Sequence, residues 1–580
     1  MYDIIIKNGY ITDGSGKDIY QADLGIQGDK IVKIGSLKDE ASKKVIDAEG
    51  KYVTPGFIDP HTHADITVLY APEMEAQIRQ GVTSVVTGNC GHGMAPIGDE
   101  VFRGPFMNME FIDEVTPSYF ELFPMYLPQK ASEGALKKVY GVDLDWTDFQ
   151  SFNQKCSEIG PGCNLVPLAG YNAIRNAVMG MDCLREATSE ELQKLEELTE
   201  ECMKQGAFGF TTGRDPNYIP GPYATMDEMK RMLKIVSSYG GIFASHTYNF
   251  NKAGQQDRIG GYKEMFELAM AADIRTNVSH VHVLRMADNG KEALEAAEKT
   301  LQLFEETARK GLDLSYDVIP SPFVADFTVP YFAFFLKPLV LMSGTRKHLA
   351  ENFRYPDFRM MVRHIVKAGM MPFFDPDSAS NWYSAFCVLK HEDNRFVGKT
   401  LTECARELAV DELECMMELF SRDPDMMANM VTPDFTEAND LLCSHKWAMP
   451  CSDSFTFSKE TNLTGNDELP LYPNAATVSF IPRYLIRQGK KNFARSVHQA
   501  SGYVAQRFGI EKRGELKEGN YADVVVLDYD SLKSYDMEPN PLQNPEGIEY
   551  VLVNGKVSLE HGELCSRRYG KVLSKRIDRE

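Results

Sequence analysis

Six of the 12 histidines in this 580-residue chain lie in a few short turns, alongside one cysteine and one aspartate. His61 and His63 stand in "DPHTHAD", Cys90 and His92 in "GNCGHG", and His246 in "ASHTYN". His280 and His282 stand in "VSHVHV", and Asp453 in "CSDS". Residues two apart in extended chain point to one side, so His61 and His63 can grip a single cation. Imidazole, carboxylate and thiolate together suit zinc. An open coordination position leaves room for a water, whose pKa zinc lowers toward neutrality. The candidate ligands are therefore His61, His63, Cys90, His246, His280 and Asp453, for one or two Zn2+ ions.

Taken singly, each residue has a plainer reading. A lone His-x-His is a weak motif. A single histidine such as His246 or His280 is more often structural, and Asp453 alone reads as a cap or turn residue. Cys90 alone reads as a small buried hydrophobe. A nucleophilic Cys90 beside a histidine is a further reading, but several histidines plus an aspartate exceed what such a dyad needs. The metal reading is favoured because all six residues fall where short apolar runs end. His282 reads as supporting the ligands or touching substrate. His92 reads as near the site or as solvated, and His445 and His498 as structural.

A repeating pattern must position these turns. Eight short apolar runs end in polar or glycine-rich turns: "YVTPGFID", "TSVVTG", "NLVPLAG", "AFGFTTG", "GIFASH", "RTNVSH", "LDLSYDVIP" and "WAMPCSD". Between them lie amphipathic stretches such as "SEELQKLEELTEECMKQG" and "KEALEAAEKTLQLFEETARKG", with apolar residues recurring at three and four positions. Apolar runs alternating with helices indicate a parallel sheet, and eight units indicate an α/β fold of the (β/α)8, TIM-type barrel class. In such a barrel chemistry gathers at the C-terminal ends of the strands.

Both chain ends read differently, as short strands with Asn-Gly and Asp-Gly turns. We expect one small β-sandwich domain built from residues 1–55 and 505–580, around a barrel spanning 56–504. Roughly 100 residues between strands seven and eight, 325–440, are far too long for an ordinary connection and predict an inserted subdomain. The formal net charge of −21 argues against nucleic acid and anionic membranes as partners. The N-terminus lacks a signal-peptide pattern. The apolar stretch "VPYFAFFLKPLVLM" is broken by Lys337 and Pro338 and is too short to span a bilayer. The 11 cysteines, without a C-x-x-C pair, fit reduced thiols. These features predict a cytoplasmic protein acting on a small molecule, with homo-oligomerisation left open.

"PGFIDPHTHAD", "GNCG" followed by "MAPI", "GAFGFTTG", "VSH", "YDVIP", "CSDS" and the C-terminal "GELKEGNYADVVVLD" with "VLVNGKV" resemble the amidohydrolase superfamily. The "GNCG" turn and "AIRNAVMGMDCLREATSEELQKLEELTEECMKQGAFGF" narrow the resemblance to the D-aminoacylases, or N-acyl-D-amino-acid deacylases. The resemblance covers essentially the whole chain. It implies zinc at the mouth of a barrel that carries a small β-sandwich. His61, His63 and Asp453 would form one metal position. Cys90, His246 and His280 would form the other, with Cys90 as bridge in place of the carboxylated lysine of many relatives. It implies deacylation of an N-acyl-amino acid by hydroxide formed on the metal. Asp453 would act as the catalytic acid–base, passing the proton to the leaving nitrogen.

The substrate-contact turns depart from the family. "HTYNFNK" replaces a methionine–arginine–acid pattern after His246. His282 stands where a lysine is usual, and Arg214 where an aliphatic residue is usual. A "His-Pro-Arg" stretch becomes "LYPNAATV". Arg214 reads either as a carboxylate anchor or as one half of a loop ion pair with Asp215 or another acid. Tyr218 and Tyr248 are candidates for lining the pocket. Rival readings are hydrolysis of a cyclic amide of the hydantoin type or of an N-carbamoyl group, and a non-catalytic barrel kept for assembly.

Overall fold

All eight apolar runs form strands, and each contributes a strand to parallel pairing. The computed structural model describes residues 1–69, 71–98, 142–215, 218, 220–249, 257–283, 289–320, 328–329, 332–334, 336–367, 386–430, 435–456, 472–473, 475–535 and 543–575. Parts of the expected insertion and of "LYPNAATV" lie outside the described residues.

The N-terminal strands are β1 (Tyr2–Ile11), β2 (Tyr20–Gln27), β3 (Lys30–Gly35), β4 (Ser42–Asp47) and β5 (Tyr52–Pro55). The chain then passes through Gly56 into the parallel set. That set is β6 (Phe57–Asp59), β7 (Val82–Thr87), β8 (Asn164–Pro167), β9 (Ala169–Gly170), β10 (Gly209–Gly213), β11 (Ile242–His246), β12 (Thr276–Val278) and β13 (Leu314–Val318). Beyond it come β14 (Thr328–Val329), β15 (Phe386–Lys390), β16 (Met427–Met430), β17 (Ala448–Pro450), β18 (Tyr472–Pro473), β19 (Val524–Leu527), β20 (Ile548–Val553), β21 (Lys556–Glu560) and β22 (Glu563–Leu564).

Two parallel arcs result, β6-β7-β8 and β9-β10-β11-β12-β13-β17. The third expected run is divided between them, with Leu168 separating β8 from β9. At the other junction Thr62 bridges Ser454 in parallel, and the Asp453 N–H donates to His61 O at 3.0 Å. The fold is mixed α/β of the TIM-barrel type. Strands β7, β8, β10, β11 and β13 are buried along their whole length, as a sheet covered by helices on its outer face requires. The helices start on ordinary caps. Thr188 and Glu191 form a capping box on Ser189–Lys204, while Thr225 and Asn289 cap Met226–Ser238 and Gly290–Arg309.

The terminal strands join into one nine-stranded sheet, in the order β22-β21-β20-β19-β5-β1-β2-β3 with β4 on β1. Antiparallel pairing of β5 with β19 ties the two ends of the chain together directly before the first barrel strand. The C-terminal tail then leaves this sheet, and Val572 bridges Leu165 of β8. Between β13 and β17 the described residues carry a hydrophobic core of their own, including Phe332, Leu349, Phe386, Met417 and Phe420. Antiparallel β15 and β16 lie within that segment. Among the described residues no helix is long and apolar enough to cross a membrane.

Candidate metal centre

Strand β6 ends at Asp59, before either of the first two histidines. Pairing nevertheless reaches past the strand end, because Thr62 N–H donates to Val86 O at 3.0 Å while Thr62 bridges Ser454. His61 and His63 thus come together, with ring centroids 5.6 Å apart. Cys90 lies in the turn Asn89–Gly91 that follows β7, and His246 closes β11. His280 and Asp453 lie just beyond the ends of β12 and β17. The ligand atoms of His61, Cys90, His280 and Asp453 all lie within 4.8 Å of one another, and all four residues are buried. Cys90 Sγ is 3.3 Å from His61 Nε2, 3.6 Å from His280 Nε2 and 3.8 Å from His246 Nδ1. Asp453 Oδ1 is 3.3 Å from His61 Nε2 and 3.4 Å from His63 Nε2. His246 Nδ1 and His280 Nε2 are 2.8 Å apart. The six candidate ligands therefore form one cluster, and its tightest group draws on both of the positions implied by the resemblance.

The backbone is strained where it delivers these groups. Cys90, His280 and Asp453 have φ of 57°, 32° and 48°, a region that costs a non-glycine residue about 1–3 kcal/mol. Contacts from neighbouring strands hold them there. The Thr211 hydroxyl donates to Gly88 O and accepts the Gly91 N–H at 3.0 Å. A Cβ on Gly88 would lie 2.2 Å from Leu168 O, and one on Gly91 2.5 Å from Asn172 Oδ1, so this turn needs glycine on both sides of the thiol. The His280 N–H donates to Asp317 Oδ1 at 2.6 Å.

Electrostatics match a cation site. Burial alone would raise the Asp453 carboxyl, but His280, His61 and His63 hold it far below the usual carboxylate range. Burial disfavours a charged His61, yet Asp317, Cys90 and Asp453 hold its pKa well above the ordinary value. Burial pushes the Cys90 thiol up to about 12, with His61 pulling the other way. Asp453 Oδ1 and His246 Nε2 are buried without hydrogen-bond partners among the described residues. A buried carboxylate oxygen facing two imidazole nitrogens, with a thiol close by, fits a zinc-type cation.

The Amidohydrolase family model matches residues 44–372, over half of the chain. This chain belongs to the amidohydrolase family. A D-aminoacylase of Alcaligenes xylosoxydans xylosoxydans is 27% identical over 580 residues, covering 99% of this chain and 98% of the relative. A crystal structure of D-aminoacylase, described as defining a novel subset of amidohydrolases, superposes with a TM-score of 0.69 at 23% identity, covering 99% of this chain and 100% of the other. The N-acyl-D-glutamate deacylase of Bordetella bronchiseptica, complexed with zinc and a phosphonate inhibitor, gives 0.67 at 21%, covering 99% of both chains. Over essentially its whole length this amidohydrolase-family chain is similar to D-aminoacylase and to N-acyl-D-amino-acid deacylases.

The remaining candidates fall unevenly around the centre of this amidohydrolase. The Tyr218 ring lies 4.0 Å from that of His246, centroid to centroid, and 5.3 Å from that of His92. His92 is buried, with its ring 5.5 Å from that of His63, so it belongs to the wall of the site and is not solvated. His282 is half-buried, its ring 6.5 Å from that of His280. Tyr248 is half-buried in the turn after β11. The Arg214 guanidinium is engaged by Glu264 at 2.8 Å and by the carbonyls of Gly221 and Ala224 at 2.5 and 3.1 Å. That is the ion-pair arrangement, made with an acid 50 residues away. One residue escaped sequence reasoning altogether. Asp317, within β13, faces His61 Nδ1 at 3.2 Å and accepts from the His280 N–H, the Cys451 thiol at 3.4 Å and Asn277 Nδ2 at 2.5 Å. Its signal was an acid inside the apolar run "LSYDVIP", which few buried strands tolerate without a partner.

Proposed function

We propose that this amidohydrolase removes the acyl group from an N-acyl-amino acid, with the D series favoured by its relatives. The observation that carries the reading is the convergence of His61, Cys90, His280 and Asp453 within 4.8 Å at the ends of separate strands. His61, His63, Cys90, His246, His280 and Asp453 would hold one or two divalent cations, with zinc the best match to the donors. A cation bound there supplies Lewis acidity at the scissile carbonyl and lowers the pKa of water toward neutrality.

The chain's own groups then divide the work. Asp453, held ionised by its histidines, takes the proton of the attacking water and delivers it to the leaving nitrogen. Asp317 fixes the orientation of His61 and the turn that carries His280. Tyr218, with its ring against His246, walls the pocket and limits water. We read the architecture as a (β/α)8 barrel over 56–504, bearing the 325–440 insertion and a terminal β-sandwich from 1–55 and 505–580. The 11 free thiols favour a reducing, cytoplasmic setting.

Metal analysis of the purified protein and a panel of N-acetyl-D- and L-amino acids beside hydantoins and N-carbamoyl compounds test the reading. We expect stoichiometric metal and turnover confined to the N-acyl compounds. Asp453→Asn should lower kcat by at least about 100-fold. Protein that takes up no metal, or an Asp453→Asn variant with full activity, would falsify it.

A further inference from the structure

Five buried arginines among the described residues are paired with acids, and a further one, Arg258, lies close to the metal centre without such a pair. Arg175 meets Glu228, Arg507 meets Asp313 and Arg513 meets Asp523. Arg214 meets Glu264 at 2.8 Å and Arg346 meets Asp425 at 2.7 Å. Arg258 is 7% exposed, yet no carboxylate lies against it among the described residues. Its contacts are neutral: the Tyr262 hydroxyl at 3.5 Å, His282 O at 3.3 Å and His282 Nε2 at 2.8 Å. A guanidinium only donates, so His282 Nε2 is the accepting nitrogen and that imidazole is neutral. A buried cation with neutral partners is costly unless an anion completes it.

Position says where that anion would come from. Arg258 opens the helix Arg258–Ala272 behind β11, whose last residue is the candidate ligand His246. The His282 it touches has its ring 6.5 Å from that of His280. Arg214, in the turn after β10, is already neutralised by Glu264.

We propose that Arg258, with His282 beside it, is the anion-recognition residue of this site and receives the carboxylate of the substrate. The inference rests on reading the site as that of an amide hydrolase, and it narrows the substrate to acyl compounds bearing a free carboxylate. The guanidinium fork suits a two-point contact with that carboxylate. Binding would supply the missing negative charge and orient the neighbouring amide toward the metal ligands.

The test uses a probe that cannot be hydrolysed. In 4-oxopentanoate a methylene replaces the nitrogen of N-acetylglycine, and 4-oxopentanamide is its neutral counterpart. Binding of each to the full-length, metal-loaded protein is measured by calorimetry for wild type, Arg258→Gln and Arg258→Lys, with metal content and thermal unfolding recorded for each. Wild type should prefer the acid. Arg258→Gln should weaken the acid about 10- to 100-fold while leaving the amide and the metal content unchanged, and Arg258→Lys should recover part of the loss. Equal binding of acid and amide by wild type overturns the proposal, as does an equal loss of both in Arg258→Gln, or no binding of the acid. If discrimination is present but no N-acyl-amino acid is turned over, the amide-hydrolase reading fails and anion recognition by Arg258 stands.

Discussion

Asp317→Asn tests whether the centre depends on a residue outside its ligand set. The carboxylate is fully buried, and both oxygens are used. Oδ1 takes the His280 N–H at 2.6 Å and faces His61 Nδ1 at 3.2 Å, while Oδ2 takes Asn277 Nδ2 at 2.5 Å. An asparagine keeps the size but has only one acceptor. With its oxygen at the Oδ1 position, its amide nitrogen confronts Asn277 Nδ2. Asn277 cannot simply flip, because its own Oδ1 already accepts from Ser315 Oγ at 3.0 Å. With the amide reversed, the conflict moves to the His280 N–H and His61. Either placement leaves a buried donor–donor contact costing about 1–3 kcal/mol. Loss of the negative charge behind His61 also makes that imidazole a poorer ligand, an effect of about 10- to 100-fold in metal affinity. We expect metal affinity, measured by chelator competition, to fall by that factor. Unfolding measured with excess chelator should show a smaller loss, confined to the hydrogen-bond conflict. A variant that binds metal within about threefold of wild type and unfolds at the same temperature would refute the reasoning.

Cys90→Ser preserves volume in a buried turn, so thermal unfolding of the metal-free protein should change little while metal content and hydrolysis are lost. A metal-replete, active variant would return Cys90 to ordinary packing. Because burial holds the Cys90 thiol up to about 12, a cation must displace its proton. Affinity should therefore rise with pH by about tenfold per unit for each proton released. Calorimetry in buffers of different ionisation enthalpy reads that proton, and affinity independent of pH would exclude it. Thr211→Val removes the hydroxyl that holds Gly88 O and the Gly91 N–H, leaving a buried donor unmet at about 1–3 kcal/mol. Metal affinity should fall although no candidate ligand has changed.

The sequence made the strands and the donors legible for one physical reason. A parallel strand buried on both faces must be apolar, so polar ligands can only follow it, and His61, Cys90, His246, His280 and Asp453 stand at or just beyond the ends of such runs. What stayed hidden depends on neighbours distant in the chain. Asp317 reads as part of a strand until His61 and His280 are placed beside it. Arg214 reads either as an anchor or as half of an ion pair until Glu264 is placed against it. Arg258 reads as an ordinary residue of a helix first turn until the described residues place His282, and no acid, against it.

The left-handed conformations of Cys90, His280 and Asp453 were equally out of reach. No local rule assigns positive φ to a cysteine, a histidine and an aspartate in three separate turns, because each is imposed by an adjacent strand. Local propensity would relax all three turns toward ordinary backbone, and relaxation would move the donor atoms apart. Geometry of the metal centre is thus a property of the neighbouring strands and turns, through contacts such as Thr211 to Gly88, Asp317 to His280 and His61 O to the Asp453 N–H. Affinity for the cation should accordingly respond to substitutions at these supports, while the six candidate ligands themselves stay in place.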